Sequence, residues 1–156
     1  TADQNSPPPP PAPCESAQHR QFDFWVGDWS VTAGGNPAGI NRIEKRHGGC
    51  VLAENWTSAR GSFNGSSLNI YDAATGRWHQ TWADSSGTLL LLDGAFRNGE
   101  MVLEGNRPGA DGTTVTHRIR WTPNPDGTVR QNWENHGCDE NLTTLFDGLY
   151  TREDAL

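Results

Sequence analysis

Four stretches of this chain share one pattern, a lone polar side chain among bulky apolar ones at alternate positions. Cys50, Leu52, Glu54 and Trp56 set a carboxylate between a leucine and an indole, and Trp78, Gln80 and Trp82 set an amide between two indoles. Val115, His117, Ile119 and Trp121 carry an imidazole, and Val129, Gln131 and Trp133 a second amide. Alternate residues of a strand share a face. If these faces turn inward, Trp56, Trp78, Trp82, Trp121 and Trp133 form an aromatic wall with Glu54, Gln80, His117 and Gln131 as its polar fixtures. Ser67, Asn69 and Tyr71 make a fifth polar face that would add to the site if it also turns inward. Apolar walls with a few placed hydrogen-bonding groups are the composition of a small-molecule site. A carboxylate there is partly desolvated and its pKa rises. Beside a neutral imidazole it could move protons, so Glu54 and His117 are the candidate catalytic groups. The plainer alternative is that Glu54 pairs with Arg118 or Arg120 and only orders the core. In the opposite register that arginine pair would face inward and hold a ligand carboxylate.

Other chemistries lack their residues. His19, His47, His79, His117 and His136 show no compact ligand spacing, so no metal and no cofactor are expected. There is no Gly-x-Ser-x-Gly elbow, no cysteine in an activating context and no phosphate-binding glycine pattern. Twelve Lys and Arg against 19 Asp and Glu leave a net charge of −7, which argues against nucleic-acid partners. No apolar run approaches the roughly 18 residues of a membrane-spanning helix. The expected partner is a small hydrophobic or amphipathic molecule, bound by a monomer or homodimer.

The elements that must position these residues read as strands. Eighteen glycines punctuate the 156 residues. Asn-Gly and Asp-Gly pairs mark tight turns, where positive φ is needed. Between the turns lie Trp29–Ala33, Ile40–His47, Cys50–Thr57, Ser67–Asp72, Trp78–Asp84, Thr88–Ala95, Met101–Gly105, Thr113–Trp121, Thr128–Glu134 and Thr143–Arg152. About ten strands joined by short loops form an antiparallel meander, which either curls into a barrel or splits into a sandwich, and the regular spacing favours the up-and-down barrel. Ahead of it, residues 1–20 read as a disordered proline-rich tether, with a short helix or turn within Glu15–Phe24; residues 21–156 form the barrel domain. A chain that begins at Thr1 and runs into Pro7–Pro11 is expected of a mature periplasmic or secreted protein. Three cysteines fit that compartment. They allow one bridge: Cys14–Cys50, stapling the leader to the barrel, is preferred over Cys50–Cys138.

Phe22-Asp-Phe-Trp-Val-Gly-Asp-Trp29 resembles the first strand of the calycins, the superfamily of lipocalins, fatty-acid-binding proteins and nitrobindins. Its signature is Gly-x-Trp, here Gly27, Asp28 and Trp29. In lipocalins that Trp packs beneath a late-strand cation, and Arg152 in Leu149-Tyr-Thr-Arg152 stands where this resemblance places it. Residues 14–152 are similar to a group of secreted bacterial domains of unknown function. The shared stretches include Gly49-Cys-Val-Leu-Ala-Glu-Asn-Trp56, Ser67-Leu-Asn-Ile-Tyr-Asp72, Trp78-His-Gln-Thr-Trp82 and Phe146-Asp-Gly-Leu-Tyr150. The resemblance implies a barrel with a cavity, in which Gly27, Trp29 and Arg152 are structural. It carries over no haem ligand and no settled activity. The expected function is binding or transport of a small apolar or amphipathic ligand. The alternatives are an enzyme using Glu54 or His117 in the same cavity, or an interaction module whose barrel is filled by its own indoles.

Overall fold

The computed structural model describes residues 6–10, 12–138 and 141–153. Ten strands follow in order: β1 Gly27–Ala33, β2 Asn36–Arg46, β3 Val51–Ser58, β4 Asn64–Asp72, β5 Arg77–Asp84, β6 Leu89–Arg97, β7 Glu100–Pro108, β8 Thr114–Pro123, β9 Val129–His136 and β10 Thr143–Arg152. Each pairs antiparallel with its sequence neighbours, and β10 returns to β1, so the sheet is a closed up-and-down barrel. Closure removes both sheet edges. The β6–β7 turn sits where the sequence places it, whereas Asn64-Gly65, Asp93-Gly94 and Asp147-Gly148 fall inside β4, β6 and β10. Asn98 and Gly99 both hold positive φ, at 51° and 80°, as a two-residue hairpin loop between β6 and β7 requires.

Alternation turns the four aromatic–polar faces inward, together with Ser67 and Asn69. Arg118 and Arg120 therefore point outward. Arg118 pairs with Glu104 on the outer face at 2.5 Å. Arg120 lines a shallow outer groove with Glu100, Thr122, Arg130, Asn132 and Glu134. Neither reaches Glu54, so the core-pairing alternative for that carboxylate does not hold, and no arginine pair enters the lumen.

One end of the barrel is plugged. Before β1 the chain makes two 3-10 turns, Gln18–Arg20 and Asp23–Trp25. Phe22 stacks on Trp25 at 4.8 Å and meets Trp78 and Trp121 edge-on at 5.6 and 5.1 Å. All four side chains are buried. Burying each contributes roughly 1.5–3 kcal/mol. His19 packs edge-on against Tyr71, and Cys14 is bonded to Cys50 in the β2–β3 turn. Residues 14–20, which read as leader in the sequence, are thus fixed to the closed end. Cys138 is free and exposed.

The Gly27-x-Trp29 signature has a local cause. Trp29 and Arg152 are cross-strand partners of β1 and β10, and the guanidinium lies 4.2 Å from the indole centroid. Arg152 also donates to the Val26 and Phe24 carbonyls at 3.1 and 3.5 Å, while the Trp29 indole donates to the Trp25 carbonyl at 2.8 Å. Gly27 sits at φ 144°, and a Cβ there would lie 2.6 Å from Arg152 Nη1. Only a glycine leaves room for the arginine that locks plug to seam.

Candidate functional site: a polar floor under an aromatic cavity

Above the plug the barrel is hollow. A cavity of about 340 Å³ opens at the end that carries the β3–β4, β5–β6 and β9–β10 loops. The indoles therefore do not fill the barrel. The wall includes Trp56, Trp82, Trp133, Phe63, Phe146 and Leu90, with Glu54, Gln80, Gln131 and Tyr150 as polar members deep in it and Asp84, Ser86 and Thr88 toward the mouth.

Glycines set the shape of that wall. A Cβ on Gly65 would lie 2.4 Å from the Trp82 ring, and one on Gly148 would lie 2.5 Å from the Phe146 ring. Gly39 stands in the same relation to Trp56, at 2.8 Å. Each ring reaches over a bare stretch of backbone, as an aromatic does when it covers a strand glycine. Without a side chain on these glycines the rings stay against the wall and leave the lumen open.

A hydrogen-bonded belt forms the floor. From one side, Gln80 Nε2 donates to Asn69 Oδ1 at 2.8 Å, Asn69 Nδ2 to Ser67 Oγ at 2.9 Å, and Ser67 Oγ to Glu54 Oε1 at 2.6 Å. From the other, Asn41 Nδ2 donates to Glu54 Oε2 at 2.7 Å and to the Tyr150 hydroxyl at 2.9 Å. That hydroxyl donates to Gln131 Oε1 at 2.5 Å. The belt runs across β5, β4, β3, β2, β10 and β9, and Glu54 is where donors from both sides converge. Such chains polarise and strengthen one another away from water. Asn41 Oδ1 is buried without a hydrogen-bond partner.

Burial pushes the Glu54 carboxyl above its ordinary pKa, and the bonds from Ser67 and Asn41 only partly oppose it. Burial, and then the Glu54 charge, push the Tyr150 phenol well above its own. Nearer the mouth, burial would raise the Asp84 carboxyl. Bonds from Ser86, Trp82 and Thr88 outweigh that and hold it below the ordinary range. Burial, then the Arg107 charge, lower the His117 imidazole.

Of the nine side chains of the expected aromatic wall and its polar fixtures, six line the cavity: Glu54, Trp56, Gln80, Trp82, Gln131 and Trp133. Trp78 and Trp121 lie under it, in the plug. Asn69, from the fifth polar face, is a fully buried link of the floor belt and does not line the cavity. His117 faces inward but off the cavity wall, its Nδ1 accepting from the Trp133 indole at 3.0 Å. It makes no hydrogen bond to Glu54, so the two candidate catalytic groups do not form a dyad. The sequence reading missed Asn41 and Tyr150. Both sit on inward rows, Gly39-x-Asn41-x-Ile43 and Phe146-x-Gly148-x-Tyr150, so the same alternation signals them. Among the described residues, no cluster of His, Cys, Asp and Glu could hold a metal ion, and no helix is long and apolar enough to cross a membrane. No known protein family and no curated protein matches this chain.

Proposed function

We propose that this protein is a calycin-type carrier that holds one small, largely apolar molecule in its barrel and works in the periplasm or outside the cell. The observation that carries the reading is the cavity of about 340 Å³, closed below by an aromatic plug and open above, with aromatic walls and a hydrogen-bonding floor. That volume lies at the lower end of small-molecule pockets, which run roughly 300–1,000 Å³. The Cys14–Cys50 bridge supports that compartment, since such a bond persists where the surroundings are oxidising. The calycin assignment rests on the ten-strand antiparallel closure and on the Gly27, Trp29 and Arg152 lock.

Native mass spectrometry on protein purified without denaturation tests the reading. A co-purifying mass that disappears on unfolding is the expected result. A clean apo mass, together with no uptake of any apolar probe, would overturn it.

A second reading has one observation in its favour: Glu54 is a buried acid with a raised pKa at the cavity floor, the kind of group that serves as a general acid or base. Glu54→Gln separates the two readings. A carrier keeps its binding of neutral ligands, whereas an enzyme loses most of its rate.

A further inference from the structure

Resting on the carrier reading, we propose that the molecule this cavity takes is an organic cation: a protonated amine on an apolar or aromatic body, its ammonium group at Glu54. The argument begins with the charges. The charged side chains lining the cavity are Glu54 and Asp84, both acidic. The cations that could neutralise Glu54 are engaged elsewhere or, like Arg120 in the outer groove, turned away from it. Arg42 pairs with Asp28, Arg118 with Glu104 and Arg130 with Asp147 on the outer face. Arg152 is fixed over Trp29 in the seam, and Arg107 donates to the Leu89 carbonyl.

Glu54 is only 5% exposed, and both its donors, Asn41 and Ser67, are neutral. A buried carboxyl hydrogen-bonded only by neutral groups lacks a counter-charge. Every bond of the belt that reaches it treats it as an acceptor. A ligand ammonium supplies what is missing, a positive charge with N–H donors.

The wall suits the same ligand. Trp56, Trp82 and Phe146 line the cavity, and Gly39, Gly65 and Gly148 give their rings room against the wall. Ring faces are the negative pole of the aromatic quadrupole, and they attract desolvated cations. A carboxylate ligand meets the reverse of what it needs, since it would be buried beside Glu54 with no cation to hold it. The net charge of −7 acts in the same sense, drawing cations toward the protein and repelling anions.

Three probes with one bicyclic body and different heads provide the test: tryptamine, tryptophol and indole-3-propionate, each titrated at neutral pH by calorimetry. The amine should bind at least about tenfold tighter than the alcohol, with the acid weakest. In Glu54→Gln the amine should fall to the level of the alcohol, while the alcohol stays within about threefold of its wild-type affinity. Equal affinities, or a preference for alcohol or acid, overturn the cation assignment and leave the carrier reading standing. Failure of all three to bind counts against both. An amine preference that survives in folded Glu54→Gln removes Glu54 from the role. If that variant does not fold, the ranking of the three heads on the wild type decides the proposal.

Discussion

At the scale of single residues, Glu54 sets a pH dependence that can be measured without a ligand. In the unfolded chain its carboxyl titrates at the ordinary value; in the barrel, burial makes it hold its proton to higher pH. The contribution of this group to stability is therefore full below the ordinary carboxyl range and is lost as pH rises through the raised value. Glu54→Gln cannot titrate and shares every other ionisable group. The melting temperature of wild type relative to this variant should rise as the pH is lowered from 8 to 5. A difference independent of pH would contradict an ionised, buried Glu54. Asp84 is too similar in type to be told apart from Glu54 in a sequence, yet its pKa moves the opposite way, because the loop supplies it with donors from Ser86, Trp82 and Thr88. Sequence alternation shows which residues share a face, whereas protonation depends on the donors the fold brings to them.

Strands and turns explain what else was legible. The hairpin signals are local, and all ten expected strands are present, though β2, β4 and β7 run longer than expected and Asn64-Gly65, Asp93-Gly94 and Asp147-Gly148 lie within strands. The inward faces follow from period two once one face is fixed. What alternation leaves out is height along the barrel axis, which comes from the stagger of strands against one another. For that reason Trp78 and Trp121, on the same inward rows as Gln80 and Ile119, end in the plug beside Phe22. The glycines divide by what faces them. A Cβ on Gly65 meets the movable indole of Trp82, whereas one on Gly94 would lie 1.9 Å from the Val102 backbone carbonyl. Gly65→Ala should push the Trp82 ring toward the lumen, lowering affinity for bulky probes and shifting tryptophan emission at a cost of about 1–3 kcal/mol. Gly94→Ala should cost more than that, because paired backbone must separate; urea titration of both variants checks the order. At the seam, Arg152→Ala removes charge-assisted bonds to two carbonyls and the contact over Trp29. A loss of roughly 1.5–3 kcal/mol is expected from the bonds, and an unchanged urea midpoint would show that β1 and β10 close without the lock.

The whole molecule is a closed ladder with one covalent brace. Cys14 and Cys50 are 36 residues apart, and closing a loop of that length stabilises by up to about 4 kcal/mol in the chain-entropy account. Cys14→Ser should lower the melting temperature by about 10 °C, at roughly 2–4 °C per kcal/mol for a chain of this size. The far-ultraviolet β signal should survive, because the β1–β10 pairing does not depend on the bridge. Full loss of that signal would mean that the brace, and not the ladder, holds the barrel shut.

The brace also gives the barrel a direction. Cys14 is fastened beside the β2–β3 turn, so the exposed prolines that precede it leave from the plugged end, while the mouth framed by Phe63, Ser86 and Leu145 lies at the other. A barrel held by that segment would keep its opening turned away from the point of attachment.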